Sequence, residues 1–131
     1  MLTISVLPNL YSVCRMEPEG TIADWMLSSA FYSVTKTDSE LSIICEQAAA
    51  PQTVLAEGGW NLLGVNGPLE FSMIGVLARI SSVLAEANVS ILAVSTYDTD
   101  YFLVRSNQLS ETCKALEAHG YRIRQSSMKM L

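Results

Sequence analysis

Two stretches of this chain, 60 residues apart, share a pattern of two β-rich runs around a short polar centre. The later stretch is 95–104, STYDTDYFLV, and the earlier stretch is 35–44, TKTDSELSII. In this alignment Asp38 matches Asp98, and Glu40 matches Asp100. A polar centre between two β-rich runs is typical of a β-hairpin. Because the hairpin occurs twice, we expect the chain to contain two copies of one small unit.

The composition limits the classes of function. A chain of 131 residues is long enough for one ordinary domain or for two small ones that share a core. Half of the residues are hydrophobic and only 16% are charged, which favours burial of apolar surface against a second copy. The net charge of −5 repels phosphate groups and therefore argues against a nucleic-acid partner.

The sequence also gives expectations about location and bound groups. It has no run of 18 apolar residues, so we expect no membrane span, and residues 1–8 lack the features of a signal peptide. Cys14, Cys45 and Cys113 are far apart and belong to no metal-binding motif. We therefore expect a cytoplasmic protein with reduced thiols, no metal and no cofactor.

The second half of the chain predicts the element order β-α-β-β-α-β. A strand over 60–66 precedes an apolar pattern of helical spacing, which Ser72 caps and Asn88 ends. The second hairpin follows over 90–96 and 101–105. A second helix over 108–119 stops at Gly120, and a last strand covers 121–125. This order builds one antiparallel sheet with both helices on one face.

The first half predicts a reduced copy of that unit. It offers strands around Pro8-Asn9, a short helix over 21–27 with Thr21 as the N-cap, and a hairpin over 31–36 and 41–46. A short strand over 53–57 is expected to end at Gly58-Gly59. The predicted fold is therefore α+β with two tandem units, a reduced one over 1–57 and a complete one over 58–131.

Asp98 and Asp100 are the first candidates for chemistry. Their two-residue spacing on an extended chain directs both carboxylates to one face. Paired carboxylates perform acid–base chemistry, coordinate a hard cation or accept a ligand ammonium group. The alternative is purely structural, because aspartate and threonine are common in turns.

The loop 66–72 is the second candidate, because a predicted helix follows it. Free N–H groups at a helix N-terminus hold a carboxylate, and Gly67 permits close approach of the backbone. A carboxylate acceptor and an ammonium acceptor together are what an α-amino acid requires. The chain contains no catalytic motif that pairs a nucleophile with a base. We therefore expect no catalytic residues and no enzyme, with a small enzyme using Asp98 and Asp100 as the minor alternative.

Residues 72–96 resemble the ACT domain, and most of all the regulatory domains of aspartate kinases. In those domains a G-V-x-A-x-I helix leads to an I-x-x-x-S-T strand, and Gly75–Ile80 and Ile91–Thr96 have this pattern. The segment 95–100 is similar to small stand-alone bacterial ACT proteins and to the arginine sensors of the animal TOR pathway (the CASTOR proteins). Residues 31–43 and 57–60 also resemble the bacterial group, so the resemblance covers nearly the whole chain.

The resemblance implies ferredoxin-like units that bind amino acids or similar metabolites at interfaces between units. The family's ligand lies between the start of the helix in one unit and the strand after the helix. The corresponding positions here are Phe71, Ser72, Met73, Ile74 and Gly75, together with Ser90 and Ile91. In the arginine sensors, the segment that matches Tyr97, Asp98, Thr99 and Asp100 contributes to contacts with a protein partner.

The resulting hypothesis is a non-enzymatic regulatory protein that binds an amino acid, with Asp98 or Asp100 holding an ammonium or guanidinium group. Because the chain carries only one pair of units, a homodimer would supply the other half of the site. A protein target is a further expected partner. The alternative is a protein-interaction module that binds no small ligand and adds the edge of its sheet to a partner.

Overall fold

The computed structural model of this chain describes residues 2–66 and 75–125. It divides into two compact units, one of residues 9–60 and one that combines residues 1–8 with 61–131. Residues 2–8 thus group with the second half of the chain, although the sequence placed residues 1–57 in a first unit. The physical reason is that the beginning of the first strand pairs with the last strand.

Seven strands and two α-helices are present in the described residues. The strands are β1 (Thr3–Met16), β2 (Ser33–Lys36), β3 (Leu41–Glu46), β4 (Leu55–Val65), β5 (Ile91–Ser95), β6 (Asp100–Arg105) and β7 (Arg122–Gln125), and the α-helices are α1 (Val76–Glu86) and α2 (Leu109–Ala118). Short 3-10 helices cover Asp24–Leu27, Gln47–Ala49 and Ser106–Gln108.

The unit that contains residues 61–125 has the predicted order β4-α1-β5-β6-α2-β7. Its strands are arranged as β7-β1-β4-β6-β5, so the start of β1 lies between the first and last strands of this order. β5 and β6 pair antiparallel, as predicted, whereas Thr3–Val6 of β1 pair in parallel with β7. The expectation of a wholly antiparallel sheet is wrong at this one pairing, because β7 runs beside a strand from the other end of the chain.

Both helices of this unit cover one face of its sheet. Val76, Ile80 and Leu84 of α1 and Leu116 of α2 are buried in one apolar cluster. The strands contribute alternate residues to the same cluster, as expected for a half-buried sheet: Ile4, Val6, Leu63, Val65, Phe102 and Val104. The Asn88 backbone ends α1 in the left-handed conformation with φ 61°, as the sequence predicts.

The unit of residues 9–60 contains strands but, over all of these residues, no α-helix. β3 pairs with both β2 and β1 in antiparallel fashion, and its buried side chains surround Cys14 and Met26. The short helix predicted over 21–27 is a 3-10 helix that begins at Asp24, three residues after the predicted cap Thr21. A second complete ferredoxin-like unit is therefore not seen in this half of the chain.

The two hairpins have the same geometry, but they are related by 59 residues rather than 60. Lys36 pairs with Leu41 in the first hairpin, and Ser95 pairs with Asp100 in the second. Each hairpin is followed by a 3-10 helix, at Gln47–Ala49 and at Ser106–Gln108. The alignment by residue type was therefore wrong by one residue, and a shift of one residue in a strand exchanges the two faces.

Two strands are longer than the sequence suggested. β1 continues through Pro8-Asn9, where Asn9 has φ 74°, and β4 continues through Gly58-Gly59, where Gly59 has φ 81°. Each left-handed residue is a local departure from the extended backbone that does not end its strand. Each strand consequently passes from one compact unit into the other.

Candidate ligand-binding site

The turn between β5 and β6, residues 95–100, is here called the acidic hairpin tip. The Thr96 N–H donates to the carbonyl of Thr99 over 2.8 Å, and the Thr96 hydroxyl lies 2.9 Å from the same oxygen. The Ser95 hydroxyl donates to Oδ1 of Asp100 over 2.7 Å. Asp100 is half-buried, whereas Asp98 is exposed. The tip is thus held by local hydrogen bonds, and one carboxylate already has a donor.

The Asp98 carboxylate lies close enough to Tyr101 to affect the pKa of its phenol. The pKa of Tyr101 is raised, mainly because the phenol is buried and also because Asp98 is negatively charged nearby. Tyr97 beside it is 81% exposed, so the tip presents an aromatic side chain and a carboxylate to solvent. These two residues of the predicted partner-binding set are therefore accessible.

Thr99 is placed differently from its neighbours. It is buried, and its hydroxyl donates to the Val65 carbonyl over 2.6 Å. Its side chain therefore connects the acidic hairpin tip to the end of β4, away from solvent. The sequence grouped Thr99 with the partner-binding residues because turn composition alone does not distinguish the inward side chain from the outward ones.

The end of β4 is also part of a polar network that the sequence did not indicate. The Ser5 hydroxyl donates to Oδ1 of Asn66 over 2.9 Å, and Arg124 Nε donates to that hydroxyl over 2.8 Å. The Asn66 N–H donates to the Thr3 carbonyl. Ser5 and Arg124 are 119 residues apart in the chain, so no local pattern predicts their contact.

The start of α1 lies at this same end of the unit. Gly75 precedes α1 with φ 74° and lines a surface groove of about 410 Å³ together with Tyr121. The next residue, Arg122, donates its N–H to the Leu2 carbonyl, beside the Thr3–Asn66 contact. The acidic hairpin tip is therefore bonded to the end of β4, and α1 is the next element of the chain after β4. The remaining predicted residues of the helix start, Phe71, Ser72, Met73 and Ile74, lie outside the described residues.

Ser90 and Ile91 lie at the opposite end of α1. The helix has 11 residues and is therefore about 16 Å long. Ser90 follows the left-handed Asn88, whose carbonyl accepts a hydrogen bond from Gln108 Nε2 over 3.0 Å. Within one chain, Gly75 at the start of α1 is therefore separated from Ser90 and Ile91 by the length of the helix.

The described residues contain no other arrangement that suggests catalysis or metal binding. No group of three or more His, Cys, Asp or Glu side chains among them is close enough to hold a metal ion. His119, at the end of α2, has Nδ1 3.0 Å from the Ala115 carbonyl. No helix within the described residues is long and apolar enough to cross a membrane.

Two of the three cysteines, Cys14 and Cys45, are buried, and Cys113 is half-buried. Cys14 and Cys45 are buried on neighbouring strands, and all three cysteines are free. Burial raises the pKa of Cys45 to about 12, with further contributions from Cys14 and Glu46. Burial also raises the pKa values of Cys14 and Cys113. Thiols of raised pKa are poor nucleophiles, so these residues are structural.

Comparison with known families gives two matches that together cover most of the chain. A family model described as the ACT domain matches residues 55–118, and a model described as an N-terminal domain matches residues 9–53. The cytosolic arginine sensor for mTORC1 subunit 1 of Bos taurus is 33% identical over an alignment of 91 residues, and the match covers 61% of this chain. The match spans 28% of the length of that sensor.

Solved structures share the fold of this chain. A structural-genomics protein from Agobacterium tumefaciens is 32% identical, with a TM-score of 0.91, over 99% of this chain and 97% of that one. The regulatory subunit of aspartate kinase from Thermus thermophilus, in its ligand-free form, has a TM-score of 0.67 at 11% identity. That likeness covers 92% of this chain and 99% of the subunit, and it concerns the fold alone.

Proposed function

Because this chain belongs to the ACT domain family, we propose that it is a non-enzymatic regulatory protein that binds an amino acid or a similar small metabolite. The bovine relative is by name an arginine sensor, and a Thermus relative in fold is a regulatory subunit. The ligand carboxylate would bind to main-chain N–H groups in the segment 71–75. Asp100, or Asp98, would accept the ligand's ammonium or guanidinium group.

One structural observation supports this proposal more than any other. The acidic hairpin tip and the start of α1 lie at the same end of one unit, connected through the Thr99–Val65 hydrogen bond and the end of β4. A positive helix end beside a carboxylate provides complementary contacts for a zwitterion. Asp100 is half-buried, so a charge-assisted hydrogen bond to it is partly shielded from water.

We further propose that the site is completed by a second copy of the chain. Ser90 and Ile91 lie about one helix length from Gly75 and cannot contact the same small ligand from the same chain. A two-fold dimer brings the helix start of one copy beside the strand of the other. The homodimer is thus a geometric requirement of the proposed site.

β5 is the edge that we assign to the dimer. It lies at the end of the strand order and carries no charged residue over Ile91–Ser95. β7, at the other edge of the same unit, carries Arg122 and Arg124, and charged side chains discourage edge-to-edge pairing. An uncharged apolar edge is therefore available for pairing with a second copy.

A thermal-shift panel of the twenty amino acids tests the proposed function. A ligand at about 100 times its Kd adds roughly 2.7 kcal/mol of stability, and we expect one clear responder. Asp100→Ala should weaken binding of that ligand by about 1.5–3 kcal/mol, which is about 10- to 150-fold, because it removes a shielded charged partner. Asp38→Ala, in the first hairpin, is the matched control and should bind normally. Equal affinity of both variants would remove Asp100 from the site.

The second candidate function is a protein-interaction module without a small ligand. The exposed Tyr97 and Asp98 side chains, with the uncharged β5 edge, favour it specifically. The same panel distinguishes the two functions. An unfolding temperature that no amino acid changes would favour the interaction module, and pull-down experiments with wild-type chain and Tyr97→Ala would then identify the partner.

A further inference from the structure

A second concave surface lies wholly within the unit of residues 9–60 and has no part in the site proposed above. It is a groove of about 580 Å³ beside β1, β4 and the 3-10 helix Gln47–Ala49. This volume lies within the range of small-molecule sites. Its apolar wall includes Leu10, Pro51 and Val54, and Leu10 is 38% exposed although it is a large apolar residue.

Ser12 contributes a hydroxyl to the bottom of this groove. The residue is only 3% exposed, and it is one of the residues that line the groove. Oγ lies 3.2 Å from the point where a Cβ on Gly58 would stand. A hydroxyl accepts a hydrogen bond as well as donating one, so Ser12 Oγ can accept a hydrogen bond from a ligand N–H.

Gln47 contributes a donor at the same place. Its Oε1 accepts a hydrogen bond from the Gly59 N–H over 2.7 Å, which leaves the two Nε2 hydrogens for another partner. The Gln47 amide lies across Gly58, where a Cβ would overlap Oε1. The absence of a side chain at Gly58 therefore lets the amide and the Ser12 hydroxyl approach one point in the groove.

The charge of the lining selects the class of ligand. No lining residue is charged, so a carboxylate, phosphate or ammonium group would lose hydration without gaining an ion pair. We propose that this groove binds a neutral small molecule that presents a carbonyl oxygen beside an N–H group, as carboxamides and pyrimidine rings do. The carbonyl accepts from Gln47 Nε2, the N–H donates to Ser12 Oγ, and the apolar body packs against Leu10 and Val54.

NMR titration of the ¹⁵N-labelled full chain tests this proposal with three probes. Nicotinamide and uracil carry the required pair of groups, and nicotinate replaces the carboxamide of nicotinamide with a carboxylate of similar shape. We expect saturable shifts of the Gly58 and Gly59 amide signals with at least one neutral probe. Nicotinate should bind at least tenfold more weakly than nicotinamide if nicotinamide is the responder. No saturable shift with either neutral probe, or equal binding of nicotinamide and nicotinate, would overturn the proposal.

Three variants test whether the responding probe binds in this groove. Ser12→Ala removes the acceptor for the ligand N–H, and Gln47→Glu replaces the donor with a carboxylate, so each should weaken the responding probe at least tenfold. Gln125→Glu adds the same charge on β7, outside the groove, and should bind as wild type does. Unchanged affinity in both Ser12→Ala and Gln47→Glu would also overturn the proposal, because the probe would then bind elsewhere.

Discussion

At the scale of single residues, Thr99 differs from its neighbours in the turn because its side chain is buried and theirs are more exposed. Its buried hydroxyl donates to the Val65 carbonyl and connects the acidic hairpin tip to the end of β4. This contact therefore helps to position the turn that carries Asp100. Removal of the donor leaves a buried carbonyl with an unsatisfied lone pair, which costs more than the net value of an ordinary hydrogen bond.

We expect Thr99→Val to lower the free energy of unfolding by about 1–3 kcal/mol, because valine keeps the shape but not the donor. Urea denaturation measures this directly. Thr53→Val, at an exposed position, is the matched control and should lie within about 0.5 kcal/mol of wild type. If the two variants have the same stability, the Thr99–Val65 contact does not hold the tip.

Because its thiol is buried, Cys45 couples the free energy of unfolding to pH in the alkaline range. Its pKa is raised from 9.0 to about 12, so the folded state keeps a proton that the unfolded state releases. The stabilisation is complete below pH 9 and is lost as the pH rises through about 12. Tyr11 acts in the same direction, because burial raises its pKa from 10.0 to about 12.

We therefore expect the free energy of unfolding to fall between pH 9 and pH 11, in the presence of a reductant. Each group that titrates only in the unfolded state contributes at most about 1.4 kcal/mol per pH unit. Cys45→Ala should be less stable at pH 7 but should show a shallower decline. An identical slope for the variant and the wild type in urea titrations at several pH values would exclude Cys45 as a source.

At the scale of secondary-structure elements, the two edges of the sheet in the unit with residues 61–125 are chemically different. β5 is apolar and uncharged, whereas β7 is short and carries two arginines. Edge strands without charged or proline residues tend to pair with further strands. The difference identifies β5 as the proposed dimer edge.

Ala93→Lys should convert the proposed dimer to a monomer, because Ala93 is exposed on β5 and a buried lysine at a two-fold contact is repelled by its own copy. Light scattering after gel filtration then gives the mass of one 14.3 kDa chain instead of two. Gln125→Lys on β7 adds the same charge at the other edge and should remain dimeric. A dimeric Ala93→Lys variant would place the interface elsewhere.

The elements also indicate what local sequence can and cannot predict. Turn residues and helical spacing identified both hairpins and both helices, because these signals act within a few residues. The alignment of the two hairpins with each other was one residue off, because turn residues of similar type occur one position apart in them. The position of β1 between β4 and β7 could not be predicted, because its contacts join residues more than 100 positions apart.

In the candidate site, too, local sequence patterns identified the residues but not the contacts between distant parts of the chain. The acidic turn and the helix start were identified from residue types, but their proximity depends on Val65, Thr99 and the ends of β1 and β7. The groove at Gln47 and Gly58 was not identified, because Gly58-Gly59 has the sequence of a strand break. In the structure Gly59 bends a continuous strand, and Gly58 makes room for the Gln47 side chain.

At the scale of the whole molecule, we propose that one amino-acid site is shared between two copies of the chain. One copy supplies Gly75 and Asp100 at the start of α1, and the other supplies Ser90 and Ile91 about one helix length away. A shared site can be tested by mixing two variants, each defective on a different side of the site. A dimer that contains one copy of each variant has one site in which both sides are intact.

The most direct measurement is a calorimetric titration of mixed variants with the amino acid that responds in the panel. Asp100→Ala and Ser90→Trp impair opposite sides of the site, so neither homodimer should bind. After subunit exchange, half of the dimers are mixed and each contains one intact site, so about a quarter of the sites should bind with wild-type affinity. A mixture that binds no better than either variant alone would contradict the shared site.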